Sequence, residues 1–263
     1  MTEVVWTGGA VSDRSAVILC PNPGPMTLEG TNTWVLHSTS TDEVIVVDPG
    51  PLDEEHLTAV ENYVEQIGAR VALTLVTHGH FDHDEGVPLW VERTGSPVRG
   101  AGRGESFEDG DRISSGDIDL RVLVTPGHTK DSVSFAWDEE RLLLTGDTVL
   151  GRGTSIVAHP DGNLTSYLAS LEALYAAASE GGSLLAPGHG PATTDAAAVI
   201  DFYRKHRAER LEQVRAALKD SDPDTEDLAQ AIVELVYADV SKDVWPAAKA
   251  TVQAQLEYLE LQR

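Results

Sequence analysis

The chain has 263 residues, 41% of them hydrophobic, and a formal net charge of −24. A balance so acidic repels polyanions at long range and counts against a broad nucleic-acid-binding surface. No apolar run approaches the ~18 residues of a membrane span, and the single cysteine, Cys20, excludes an intramolecular disulfide. Residues 1–10 lack the basic flank and continuous apolar stretch of a secretory signal. These features predict a cytoplasmic protein with no membrane partner. The length allows one large domain, or one domain with a small appendage.

Residues 44–48 form an apolar run that enters Pro49-Gly50 and read as a buried strand. Leu57, Val60, Val64 and Ile67 then recur at helical spacing, with Asp53 as the expected N-cap and Gly68 as the stop. Residues 71–76 return to a strand pattern. Further strands are expected at 119–124, 133–137, 141–144 and 183–186. A helix is expected at 164–178, with Tyr167, Leu168, Leu171, Leu174 and Tyr175 on one face. Mixed strands and helices over the first two-thirds predict a layered α/β domain over residues 1–198. From 199 to 263 the pattern becomes purely helical, with helices expected at 200–218, 225–238 and 247–261 in a small C-terminal domain.

The chemistry concentrates in Thr77-His78-Gly79-His80-Phe81-Asp82-His83-Asp84, which follows an expected strand. His78, His80, Asp82 and His83 are too close in sequence to share one helix face. A loop can splay them toward two metals. Three later strands end the same way, in Pro126-Gly127-His128, Gly146-Asp147 and Pro187-Gly188-His189. Glycine permits a sharp turn and a close approach, so strand ends in one sheet can converge on a common edge. Five His and two Asp suit two metal ions with room for water. Zinc is the default for a His-rich site, and iron or manganese also accept these donors. His37, His56, His159 and His206 have no such context and are expected to be structural or exposed.

The pattern His-x-His-x-Asp-His, followed by isolated His, Asp and His, resembles the metallo-β-lactamase superfamily. The resemblance spans most of residues 20–195 and implies a four-layer αββα sandwich with both metals at one edge. It implies further that His78, His80 and His128 bind the first metal, that Asp82, His83 and His189 bind the second, and that Asp147 bridges them. Within the superfamily, the segment from Asn22 to Thr33, Pro187-Gly188-His189-Gly190-Pro191 and Tyr203-Arg204-Lys205-His206-Arg207 resemble the β-lactamase-like protein 2 family. That family includes a single-strand-specific endoribonuclease, and related fungal enzymes are acyl-carrier thioesterases. Its C-terminal domain is a small winged helix. Here the chain stops at Leu261-Gln262-Arg263, where a wing hairpin is expected to follow, so a truncated winged-helix-like domain is expected.

The expected activity is that of a binuclear zinc hydrolase using a metal-bound hydroxide, with Asp82 and Asp147 as catalytic carboxylates. Asp48, at the end of its strand, is expected to hold a metal-bound imidazole by its other ring nitrogen. The Met26 to Trp34 stretch is expected beside the metals. A small ester or thioester substrate is favoured over single-stranded RNA, because residues 1–198 carry 30 acidic and 10 basic side chains. The local basic cluster is Arg204, Lys205, Arg207, Arg210 and Arg215, which reads as a solvated or ion-paired helix face. A binding module without catalysis would have lost a ligand, and none is missing.

Overall fold

The computed structural model describes residues 5–179, 183–222, 225–238 and 240–260. Its elements, in chain order, are β1 (Gly9–Ser12), β2 (Ser15–Leu19), β3 (Asn32–His37), β4 (Glu43–Val47), α1 (Glu54–Gln66), β5 (Arg70–Leu75), α2 (Phe81–Asp84), α3 (Val87–Thr94), β6 (Val98–Arg99), β7 (Arg112–Ser115), β8 (Ile118–Val124), β9 (Val133–Trp137), β10 (Leu142–Gly146), α4 (Leu164–Ser179), β11 (Leu184–Pro187), α5 (Ala196–Asp220), α6 (Leu228–Val236) and α7 (Trp245–Glu260). The strands form a six-stranded sheet, β1-β2-β3-β4-β5-β6, and a five-stranded sheet, β11-β10-β9-β8-β7.

The continuous apolar runs in the sequence arise because central strands are buried on both faces. In β4, Ile45 and Val47 enter the core between the sheets with Trp34, Leu120, Phe135 and Trp137. Val44 and Val46 point the other way, into a layer with Leu57, Val60, Val64 and Trp90 of α1 and α3. Strand β10 repeats the logic: Leu142 and Leu144 face the inter-sheet core, while Leu143 packs outward with Leu171 and Leu174 of α4. Period-two alternation thus builds four layers, helix, sheet, sheet and helix. Helix α1 starts where expected, with the Asp53 carboxylate accepting from the backbone N–H groups of Glu55 and His56.

Strand β4 runs parallel to β5. Strands β8 and β11 both run parallel to β10, the first through antiparallel β9. The C-terminal ends of these five strands therefore gather at one edge of the sandwich, which is where the candidate ligands leave their strands. Strands β1, β2, β3, β6 and β7 were not expected from the sequence. Strands β1, β6 and β7 have two to four mostly exposed or half-buried residues that give little periodic signal, whereas β2 and β3 are largely buried but include polar Ser15, Asn32 and Thr33, which break the apolar run.

The expected boundary between residues 198 and 199 falls in the first turn of α5. The outer core runs on across it. Tyr167 and Leu174 of α4 share one cluster with Ile200 and Tyr203 of α5, Ile232 of α6 and Val252 of α7. Residues 261–263, which include the end of the helix expected at 247–261, lie outside the described residues. Among the described residues, no helix is long and apolar enough to cross a membrane.

Candidate metal centre

The segment after β5 does not splay its side chains from a loop alone. His78 and His80 lie on the loop, whereas Asp82 and His83 lie in the short helix α2, for which His80 is the N-cap. The helix start turns the chain, so the two pairs face different sides of one cluster. His128, Asp147 and His189 arrive from the ends of β8, β10 and β11. Two glycines permit this approach. A Cβ on Gly127 would lie 2.3 Å from the Tyr167 Cα, and one on Gly188 would lie 2.4 Å from Asp147 Oδ1.

The seven side chains form two groups that could each hold a metal ion, His78, His80, His128 and Asp147 in one and Asp82, His83 and His189 in the other. Donor atoms within each group lie within 4.8 Å of one another. In the first group, His80 Nδ1 is 3.0 Å from His78 Nε2 and 3.1 Å from His128 Nε2. In the second, His83 Nε2 and His189 Nε2 are 3.3 Å apart, and Asp82 Oδ2 is 3.0 Å from His189 Nε2. Asp147 stands between the groups: Oδ1 is 3.5 Å from His83 Nε2, and Oδ2 is 3.3 Å from His189 Nε2 and 3.7 Å from His128 Nε2.

Four imidazoles have their outer nitrogens occupied. His78 Nδ1–H donates to Thr77 Oγ1, at 3.0 Å. His83 Nδ1–H donates to Asp48 Oδ2, at 2.9 Å. His128 Nδ1–H donates to the Ile156 carbonyl at 2.7 Å, and His189 Nδ1–H to the Gly30 carbonyl at 3.1 Å. These bonds leave each Nε2 aimed inward, where it can bind a metal once it carries no proton. A proton on His80 Nδ1 can then satisfy only one of the two lone pairs that face it. Tetrahedral zinc with bonds of about 2.0–2.1 Å would set neighbouring nitrogens about 3.3 Å apart, close to the spacings found. Asp147 Oδ1 is buried without a hydrogen-bond partner. The donor set, its spacing and this orphaned oxygen all fit a cation.

Electrostatics divide the cluster. Burial, reinforced by neighbouring imidazoles, holds His78 and His128 below the usual histidine value despite Asp147. Both are neutral donors at pH 7. Burial also opposes charge on His83 and His189, but Asp147 and Asp82 outweigh it. They hold His83 well above the usual value, with help from Asp48, and raise His189 to about 9. The carboxylates respond in kind. Burial would raise Asp82, yet His83 and His189 hold it at about 2. Asp147 is likewise held well below the carboxylate range. This half of the cluster therefore calls for positive charge, from protons or from metal.

Asp48 sits directly behind the His loop. Besides His83, it accepts from the Thr77 N–H and the Thr77 hydroxyl, each at 2.7 Å. Its backbone is left-handed, with φ of 55°, a conformation Asp tolerates better than most residues. Thr77 was missed by sequence reasoning, although it relays Asp48 to His78. The 26–34 stretch does lie beside the cluster: Thr31 Oγ1 is 3.5 Å from Asp82 Oδ2, and Gly30 holds His189. It is a loop only as far as Thr31, because Asn32 to Trp34 already belong to β3.

Residues 26–105 and 95–189 match the Metallo-beta-lactamase superfamily. The chain belongs to that superfamily. Residues 229–263, which take in α7 and nearly all of α6, match the Beta-lactamase associated winged helix domain. The chain has relatives along nearly its whole length. It is 30% identical over 263 residues to a Beta-lactamase-like protein 2 homolog of Drosophila melanogaster, covering 92% of this chain and 86% of the relative. It is 31% identical over 250 residues to an Atrochrysone carboxyl ACP thioesterase of Aspergillus chevalieri, covering 89% and 76%. A solved metallo-beta-lactamase family protein from Thermus thermophilus shares the fold, with a TM-score of 0.72 at 22% identity over 96% of this chain and 95% of that one. Superfamily membership and the donor cluster make this chain a metal-dependent hydrolase.

The basic residues of α5 do not form a free cationic face. Arg204 pairs with Glu172 and Asp201, Lys205 with Asp201, and Arg215 with Glu212. Arg210 donates to the Val236 carbonyl. Arg207 is buried, which the reading of a solvated or paired face did not anticipate. Of the other histidines, His56 is buried against the Thr33 hydroxyl, and His159 pairs with Glu257.

Proposed function

We propose that the chain is a binuclear zinc hydrolase of small esters or thioesters. His78, His80 and His128 hold one ion, Asp82, His83 and His189 hold the other, and Asp147 is shared. The observation that carries this reading is Asp147, a buried carboxylate placed between two sets of inward nitrogens with one oxygen unpartnered. When bound, two divalent cations would supply Lewis acidity toward a substrate carbonyl and acidify a water at neutral pH.

The protein's own residues do the rest. Asp48 and Thr77 fix the rings of His83 and His78. Asp82, half-buried and ionised, accepts a proton or orients water at the open side of the cluster. Support for an acyl substrate comes from the thioesterase relative and from the strongly acidic main domain. Arg204, Lys205, Arg207, Arg210 and Arg215 of α5 are already engaged, which leaves little of that cluster to guide a phosphate chain.

The test is elemental analysis for two zinc ions per chain, followed by one parallel screen of thioesters, lactones, bis-aryl phosphodiesters and single-stranded RNA. Thioester turnover with intact RNA supports the proposal. RNA cleavage at catalytic enzyme levels, lost in Asp82→Ala, overturns the substrate assignment in favour of an endoribonuclease.

A further inference from the structure

Between Asp147 and α4 the chain runs through residues 148–156 without regular secondary structure. Backbone groups in such a segment need partners outside it. Its inner side supports the metal centre. The Ile156 carbonyl accepts from His128 Nδ1, the Ser155 hydroxyl lies 3.1 Å from the same nitrogen, and Gly151 N–H donates to the His189 carbonyl at 2.9 Å.

Its outer side is held by α4 and α5. Tyr167 donates its hydroxyl to the Thr148 carbonyl at 2.7 Å. Tyr203 accepts from Leu150 N–H at 2.8 Å. Arg207, one turn further along α5, donates from Nη2 to the Ser155 carbonyl, and its guanidinium lies 4.9 Å from the centre of the Tyr167 ring. Tyr203 and Arg207 are only 1% and 4% exposed. Burying a guanidinium is costly unless it is well bonded. Here Nη2 meets a carbonyl and the planar group meets a ring face, while Nε is left without a hydrogen-bond partner, a combination that Lys does not reproduce.

We propose that Arg207, assisted by Tyr203, is a positioning residue for the metal centre. Through Ser155 and Ile156 it sets the ring orientation and tautomer of His128, so that the C-terminal helices form the outer wall of the site. This rests on the reading of His128 as a metal ligand. Arg207 acts at a distance from the cluster, and its hydrogen bond reaches His128 through the 148–156 segment.

The experiment compares Arg207→Met, Arg207→Lys and Ser155→Ala with Arg204→Gln, a control on the same helix whose half-buried side chain pairs with Glu172 and does not bond the 148–156 segment. Nitrogen NMR of metal-free protein reads the His128 tautomer, chelator competition reads zinc affinity, and reporter-ester kinetics separate kcat from KM. The expected result for Arg207→Met is loss of the single Nδ1-protonated His128 signal and zinc binding weaker by about 10–100-fold. The fall in activity should lie in kcat. Arg207→Lys should be intermediate and Arg204→Gln unchanged. A folded Arg207→Met protein with a wild-type His128 signal and zinc affinity overturns the proposal. Should that variant not fold, wild-type readouts in both Arg207→Lys and Ser155→Ala overturn it equally. If the wild-type protein binds no zinc, the metal reading fails, while the His128 signal still decides whether Arg207 positions that ring.

Discussion

Gly188→Ala tests the placement of Asp147 by adding a single methyl group. The Gly188 backbone cannot retreat, because its N–H donates to the Gly146 carbonyl at 2.9 Å and its carbonyl accepts from Asn32 N–H at 2.8 Å. The new Cβ would lie 2.4 Å from Asp147 Oδ1 and 2.8 Å from His83 Cε1. Ordinary contact needs about 3.5 Å, so about 1 Å must be found. His83 must yield at its own 2.8 Å contact, but it is fully buried and tied to Asp48 and so has little room to move. The Asp147 carboxylate must therefore swing away from its position between the two donor groups. A displacement of about 1 Å at a reacting centre costs roughly 10²-fold in rate. The overpacking itself costs about 1–3 kcal/mol of stability. The assay combines reporter-ester turnover, metal content by elemental analysis and a thermal melt with and without zinc. The expected variant remains folded, melts a few degrees lower, retains less than two metals per chain and turns over about 10²-fold more slowly. Wild-type turnover with a full metal complement would refute the shared-carboxylate reasoning.

Three further outcomes follow from the same geometry. Asp147→Ala should abolish turnover of ester and phosphodiester reporters while circular dichroism shows an intact fold; near-wild-type activity contradicts its bridging role. Asp48→Asn should weaken zinc binding by about 10–100-fold in a chelator competition, since His83 loses its anionic partner; unchanged affinity argues against that support. Burial lowers His56 from 6.5 to about 4, despite Asp53 acting in the opposite direction. Between those values the unfolded chain binds a proton that the folded chain does not. This contribution is therefore complete above pH 6.5 and is lost as the pH falls toward 4, by up to about 3 kcal/mol. Urea unfolding of wild type and His56→Gln at pH 7 and pH 4.5 checks this; an equal loss of stability in both proteins refutes it.

Much of the site was legible in one dimension because metal chemistry restricts residue type. His78, His80, Asp82 and His83 fall within six residues, and the other three candidates each follow a strand and a glycine. The central strands were equally legible, since burial on both faces leaves an unbroken apolar run, as in β4 and β10. The supporting contacts were not. Thr77 is an ordinary residue until the left-handed turn at Asp48 brings a carboxylate beneath it. Gly30 and Ile156 act through carbonyl groups that every residue possesses.

Arg207 shows the limit most plainly. In the sequence it is one of five cations on a helix, and charge alone places such a residue in solvent. Only the packing of α5 on α4 turns it inward, where a carbonyl and an aromatic face replace water. Local sequence thus determined which atoms can bind metal and which strands can be buried, because those depend on residue chemistry and short-range period. Tertiary structure alone decided which side of each imidazole faces the centre and what holds it there. Those contacts join residues as far apart as Gly30 and His189, which meet only when both sheets and the outer helices have packed.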